Sequence, residues 1–282
     1  MIAPAVVYMA ALVGFPVLLA LFYSVSDARV GSETIHFVGL GRFAEVLATP
    51  GFRRALGHSF LFTLAAQALV LVGGTTLALV LKEAFRGRRV VRFLILLPWV
   101  APISLGAIGW KWLLDSLYSV INWMLAAVHL VDPANPPMWL GEPRLAMLSV
   151  ILVHAWRTMP FATVILLAGL TSIPRDLPEA AAVDGAGFWR THFTITLPLI
   201  RPIVLVAFLF GVVFTFTDMT VVYILTRGGP ADATQVLPSL AYFTGILGGD
   251  LSGGAAISLF LFPLLLAGAV VLLRIARRAE VT

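Results

Sequence analysis

Long apolar runs alternate with short polar segments along the whole chain. The apolar runs cover residues 2–26, 59–81, 93–114, 145–170, 203–225 and 255–275. A helix needs about 20 mostly apolar residues to cross a hydrocarbon core of about 30 Å, so each run predicts one span. The fold class that follows is an all-α membrane protein of six transmembrane helices, forming a single transmembrane domain over residues 1–282. The first run is longer than the apolar core of a secretory signal and lacks a charged start, so it predicts a retained span. Its apolar beginning leaves open whether a basic cytoplasmic tail precedes it. Pro98 and Pro102 interrupt the third run, and the fifth is expected to run unbroken to Leu225.

The polar segments differ in kind. Residues 27–54 form the first exposed stretch, and Lys82–Arg92 is a short basic loop holding Lys82, Arg86, Arg88, Arg89 and Arg92. Asp115–Arg144 contains an amphipathic piece, Leu117–Leu130, before a Pro-rich stretch from Asp132. Gly and Pro mark turns between Arg227 and Gly254, and Leu237–Leu247 predicts a short helix there. Residues 171–202 are too many for a simple turn. Pro174 and Pro178 punctuate its start, and Glu179, Ala180, Ala181 and Ala182 are strong helix formers with the acid near the positive helix end. Asp184-Gly185 predicts a stop, because Gly suits the left-handed cap. Phe188–Thr194 predicts a second short helix, closed by Leu197-Pro198 before Pro202 opens the next span. Trp189 and Phe193 would project from this helix–Gly–helix unit as a plug for another protein.

Composition agrees. Hydrophobic residues make up 60% of the chain and charged residues 12%, with a mean hydropathy of +0.99. No soluble domain needs that much apolar surface. There is no cysteine, so no disulfide framework and no thiolate metal site, and no metal or catalytic residues are assigned. No basic run interleaved with aromatics points to nucleic acid; the excess base is better explained by loop topology. With 171–202 placed inside, eleven basic loop residues (Lys82, Arg86, Arg88, Arg89, Arg92, Arg175, Arg190, Arg201, Arg274, Arg277, Arg278) lie inside, against six outside (Arg29, Arg42, Arg53, Arg54, Arg144, Arg227). The positive-inside rule then predicts both termini in the cytoplasm.

The order and spacing of Glu179-Ala180-Ala181, Asp184-Gly185-Ala186, Ile195 and Leu197-Pro198 resemble the EAA loop of ABC-importer permeases. Tyr223, Leu225, Thr226, Gly228, Gly229 and Pro230, with Gly254-Ala255-Ala256 and Ser258 further on, are similar to a stretch of the carbohydrate-uptake group. Phe37–Phe43 resembles the segment after that group's first span, although Gly41-Arg42 replaces its usual polar pair. The resemblance is to the permease subunit of a binding-protein-dependent sugar importer, MalF-like, and covers roughly residues 37–278. It implies a cytoplasmic coupling helix between spans 4 and 5 that docks on a separate ATPase. It also implies a second homologous permease, a cytoplasmic ATPase dimer binding ATP and Mg, an extracytoplasmic solute-binding protein, and the inner membrane of a bacterium or archaeon. The coupling residues would be Glu179, Ala180, Ala181, Asp184, Gly185, Ala186, Trp189, Phe193, Leu197 and Pro198. Glu179 would fix the loop by hydrogen bonds or a salt bridge.

No Gly-Lys-Ser/Thr phosphate loop is present, so no ATP site of that kind and no bound cofactor is expected on this chain. An intramembrane serine protease does not fit, because the adjacent His58 and Ser59 point about 100° apart on a helix. Charges at membrane depth face a bundle interior or a wet cavity. Arg157 and Asp218 fall near the middle of spans 4 and 5. They would form a solute path with Trp156, Thr215 and Tyr223, or pair to hold the bundle. Lys111 and Asp115 read as snorkelling beside Trp110 and Trp112. Gly73-Gly74 permits close helix contact. The alternatives are a permease for another solute, such as glycerol phosphate or a polyamine, and an ATP-independent secondary carrier.

Overall fold

The computed structural model describes residues 2–116 and 118–280, with side chains except at residues 5 and 276–280. The first span is helical from α1 (Ala3–Met9) through a π turn at Ala10–Gly14 into α2 (Phe15–Ser24). A loop leads to α3 (Gly41–Ala48), then α4 (Pro50–Lys82). Next come α5 (Arg88–Val100), α6 (Ile103–Leu113), α7 (Val120–Ala127) and α8 (Pro143–Ser172). The polar segment that follows holds α9 (Asp176–Val183) and α10 (Phe188–Thr191), and a π turn at His192–Thr196 joins α10 to α11 (Leu197–Thr217). The chain ends with α12 (Thr220–Leu225), α13 (Leu237–Tyr242), a π turn at Phe243–Leu247, and α14 (Leu251–Glu280). Among the described residues the only β contact is the isolated bridge between Ser26 and Phe37.

Among the described residues five helices are individually long and apolar enough to cross a membrane, with a sixth span if the bent pair α5–α6 is taken as one. That pair departs from the simple third span expected at 93–114: α5 and α6 meet at 95°. Ala101-Pro102 makes the break, since the residue before a proline is pushed out of the helical region and Ala101 has ψ 144°. Pro98 stays inside α5. The helices also outrun their apolar stretches. Helix α4 is 33 residues long, about 50 Å at the α-helical rise. It starts early because the Thr49 side chain accepts from Phe52 N–H at 3.4 Å and Pro50 needs no N–H partner in the first turn. Of the amphipathic stretch 117–130, Leu117 lies outside the described residues, and the helix is only α7, capped by the Ser119 side chain on Asn122 N–H.

Two further boundaries differ from the sequence expectation. Leu197-Pro198 does not close the short helix. Leu197 N–H donates to His192 C=O, five residues back, and this π spacing carries α10 into α11 with Pro202 inside it. The fifth span does not reach Leu225 as one helix. It stops at Thr217, Asp218 is extended (φ −86°, ψ 128°), and α12 restarts at Thr220.

Helices α4 and α8 form the centre of the bundle and run parallel. Phe62 packs on His154, and further along a Cβ on Gly73 would meet Met159 and one on Gly74 would meet Ala162. Lys82 and Ser172 therefore end on the same side, which also carries α9 and α10. The small residues at Gly73-Gly74 allow this approach. Apolar clusters flank it, one around Phe62, Val150, Val153 and Val222, another around Val70, Ala155, Leu166 and Ile200. A third, around Phe52, Phe216, Leu237 and Ile257, seats α13 and α14. In contrast, nothing in the first span's apolar window is buried. It is fastened near its end: Arg42 binds Asp250 (2.5 Å), Glu45 (2.6 Å) and the Ser252 hydroxyl (2.9 Å), and that hydroxyl donates to Ser26 C=O. Burial opposes the Arg42 charge, but the bonds to Glu45 and Asp250 outweigh it and hold its pKa above the ordinary value.

Gly254 shows the closest backbone contact. A Cβ there would lie 2.5 Å from Gly245 Cα and 2.8 Å from Gly245 N, both backbone atoms that cannot rotate away. Gly254→Ala is expected to lose about 2–3 kcal/mol, the scale of core overpacking. Gly268→Ala, on the same helix with nothing within 4 Å, is expected to unfold like the wild type. Thermal unfolding in detergent compares the two; equal melting of both variants would remove the close-packing argument.

Candidate functional site

The polar segment between α8 and α11 folds as an exposed helix–turn–helix unit. Pro178 sits in the first turn of α9, and Asp176 and Glu179 lie near its positive end. The C-terminus is a Schellman motif: Ala186 N–H donates to Ala181 C=O (2.9 Å) and Gly185 N–H to Ala182 C=O (3.1 Å). Gly185 has φ +77°, which a residue without Cβ adopts at no cost. Ala181 is buried, while Ala180, Ala182 and Asp184 are exposed.

Beyond the turn, α10 presents its aromatics outward. Trp189 is 68% and Phe193 58% exposed, and the two rings stack at 5.9 Å. Phe188 stacks on His192 and meets Trp189 edge-on. Pro198 lies in the first turn of α11, beyond the π turn. Glu179 is exposed; its N–H donates to Arg175 C=O (3.2 Å), and among the described residues its carboxylate makes no hydrogen bond or ion pair. The loop is thus held by its caps and its junction with α11. An exposed, aromatic, backbone-capped plug is suited to docking in a groove of another protein.

The second group lies inside the bundle, where α8 faces the break between α11 and α12. Arg157 donates to Asp218 Oδ2 at 2.9 Å. Asp218 Oδ1 accepts from Thr220 N–H at 2.7 Å, so one carboxylate neutralises the arginine and starts α12. Thr215, fully buried, links three helices. Gln67 Nε2 donates to its hydroxyl at 2.7 Å, and His154 Nε2 lies 2.9 Å away. With Gln67 donating, the hydroxyl gives its proton to His154 Nε2, which leaves the ring proton on Nδ1, 3.6 Å from Asp218. Gln67 was missed in the sequence reading, although an amide within an apolar run is a signal of its own.

The structure does not bring all five expected path residues together. Arg157, Asp218 and Thr215 share the network described above. Trp156 meets Trp110 at 5.6 Å and lines an apolar hollow of about 860 Å³. Tyr223 packs with Tyr242, Phe243 and Arg227 beyond α12. A cluster that spacing did not reveal takes their place beside Arg157: Trp99 stacks on Phe161 at 4.9 Å, and Phe210 and Phe214 complete it. Arg157 lies 6.0 Å over the Trp99 ring. Room for Gln67 depends on Gly211, where any Cβ would collide with the Gln67 amide. Gly211→Val is expected to expel that amide, strand His154 and Thr215, and lower the melting temperature by several degrees. Gly14→Val, in open space, is the matched control, and an unchanged melting curve for Gly211→Val would argue against the network.

The chain is thus a bundle of apolar helices with a broken span around a largely buried ion pair and an exposed capped loop at one end. Residues 70–281 match the family described as the binding-protein-dependent transport system inner membrane component, and the chain belongs to that family. It is 36% identical over 241 residues to the trehalose/maltose transport system permease protein MalF of Thermococcus litoralis, covering 86% of this chain and 80% of that protein. It is 30% identical to the diacetylchitobiose uptake system permease protein DasB of Streptomyces coelicolor, covering 99% and 86%. Its fold matches a chain of a bacterial ABC transporter involved in import of the acidic polysaccharide alginate, with TM-score 0.83 at 21% identity over 99% of this chain and 94% of that one.

Proposed function

We propose that this chain is one of two permease subunits in an ATP-driven importer for a sugar or oligosaccharide. The observation that carries this reading is the Schellman-capped plug at 176–193, which places Trp189 and Phe193 outside the bundle on a body too rigid to fold away. Its partner is an ATPase dimer that holds ATP and Mg, and this chain holds no cofactor. Closure of that dimer moves the plug as a unit. The π-linked α10–α11 junction passes the movement along α11 to the break at Asp218, and the spans alternate in access about the path. Solute arrives from an extracytoplasmic binding protein, a second homologous permease supplies the other half of the path, and both termini face the cytoplasm.

The curated relatives, which carry trehalose/maltose and diacetylchitobiose in their names, support a sugar. So does the alginate transporter solved in complex with a pentasaccharide-bound periplasmic protein. The local chemistry agrees. Aromatic faces of Trp99, Phe161, Phe210 and Phe214 suit the apolar faces of sugar rings, with the Arg157–Asp218 edge for hydroxyls. That pair is neutral as a unit, which counts against a phosphate-bearing solute: such a solute needs an arginine without a carboxylate on it.

Co-purification with candidate ATPase and permease partners, followed by uptake of labelled maltose or trehalose into proteoliposomes, tests the reading. An ATPase that comes down with the chain, and uptake that requires ATP, are the expected results. A chain that purifies alone as a stable oligomer and moves solute without ATP is a carrier, and the coupling argument is then wrong.

A further inference from the structure

The basic loop after α4 is not used by any of this. Lys82, Arg86, Arg88, Arg89 and Arg92 fall within eleven residues, and among the described residues none of them forms an ion pair. Arg88, Arg89 and Arg92 wall a cavity of about 520 Å³ with Phe85 and Gly87 at the start of α5. The Nε atoms of Arg88 and Arg92 are buried and have no hydrogen-bond partner among the described residues. A buried guanidinium N–H without an acceptor is costly, and an anion supplies what is missing. The Arg92 fork is held at the mouth by its bond to Leu81 C=O (3.4 Å).

The same helix then turns apolar. Val91, Leu94 and Ile95, within one turn of Arg92, line the hollow of about 860 Å³ between α4, α5 and α8. Ser149 is the one hydroxyl in that lining, and it is already bonded to Trp139 C=O (3.2 Å). With the Trp139 indole N–H on Asn122 (2.7 Å), the lining is overwhelmingly apolar and poorly suited to a hydroxyl-rich solute. A cluster of base at the start of a helix whose next turn lines an apolar hollow has the two-part chemistry of one ligand class. We propose that this place binds an anionic phospholipid, its phosphate on Arg88, Arg89 and Arg92 and one acyl chain in the hollow. The assignment rests on the orientation given above, which puts Lys82–Arg92 at the cytoplasmic leaflet, where anionic headgroups meet basic pockets. The lipid would brace α5 against α4 and α8, next to the bend at Ala101-Pro102.

Native mass spectrometry of the purified chain, titrated with phosphatidylglycerol or phosphatidylcholine of identical acyl chains, tests this. Wild type is expected to hold phosphatidylglycerol at least about tenfold more tightly, since each nearby basic residue adds to attraction for an anionic headgroup. In Arg88→Gln/Arg89→Gln/Arg92→Gln the two lipids should bind alike, and in the triple Arg→Lys variant part of the preference should remain. Leu94→Trp, which fills the hollow, should weaken both lipids equally. A preference unchanged in the Gln variant overturns the headgroup assignment. Glycerol phosphate competing as well as the lipid does overturns the acyl-chain assignment. A Gln variant that keeps the lipid but loses an ATPase partner shows the cluster to be a protein contact and overturns the proposal. Failure of wild type to capture any ATPase bears on the importer reading alone, because the lipid titration needs no partner.

Discussion

Gly185→Asp is expected to abolish coupled uptake while leaving the permease folded and inserted. Gly185 closes the Schellman motif at φ +77°. A side chain in that region costs about 1–2 kcal/mol, least for Asn and Asp and most for β-branched residues. Nothing lies within 4 Å of the position a Cβ would take, so within this chain the only penalty is backbone strain, too small to unfold a bundle. The damage falls on the plug. Strain relieved by opening the turn swings α10, and with it Trp189 and Phe193, away from the geometry that docks. The series Gly185→Asn, Gly185→Asp and Gly185→Val should lose ATPase capture in that order, with melting temperatures within a few degrees of each other. Normal ATP-dependent uptake by the Val variant would remove the cap argument. A melting temperature that falls in step with uptake would instead make Gly185 a stability residue.

The second large effect is expected at Asp218. Asp218→Asn removes the charge that neutralises Arg157 but keeps an oxygen for Thr220 N–H, so α12 should still start in place. Arg157 is 26% and Asp218 14% exposed. Breaking one partner of such a largely buried pair costs about 3–5 kcal/mol, because the survivor is left charged and poorly solvated. Uptake should fall by at least about tenfold, with the ATPase still bound at the distant plug. Arg157→Gln/Asp218→Asn should recover much of the lost stability, since no buried charge remains, and the double-mutant cycle reads the coupling directly. Recovery of stability without uptake assigns the pair to the solute path. Recovery of both makes the pair a bundle clamp. No interaction energy in the cycle would contradict the 2.9 Å contact.

Much of this architecture is legible in the chain. Apolar runs of bilayer length announce the spans, and Asp184-Gly185 announces the cap, because these depend on local composition and on one residue's backbone freedom. Arg157 and Asp218 stand out because a charge in an apolar run needs a partner. Their pairing with each other, 61 residues apart, is a tertiary fact. So is the packing of Trp156 on Trp110 and of Tyr223 on Tyr242, since helical phase and neighbours decide what a side chain faces. Leu197-Pro198 misleads because a π turn absorbs the prolines, and Asp218 because the break it caps has no Gly or Pro to mark it. Trp99, Phe210 and Phe214 look like ordinary apolar residues until three helices bring their rings to one place.

The sequence by itself determined the class, the apolar runs of bilayer length, the capped loop and the two charges within those runs, because hydrophobic length, capping chemistry and the cost of buried charge act locally. Only the tertiary structure decided the 95° bend of α5 and α6, the broken fifth span, the Gln67–Thr215–His154 network and the aromatic wall beside Arg157. Those depend on which helix faces meet, and in an apolar chain nearly every face is hydrophobic enough to be buried, so the pattern of residues cannot choose among them.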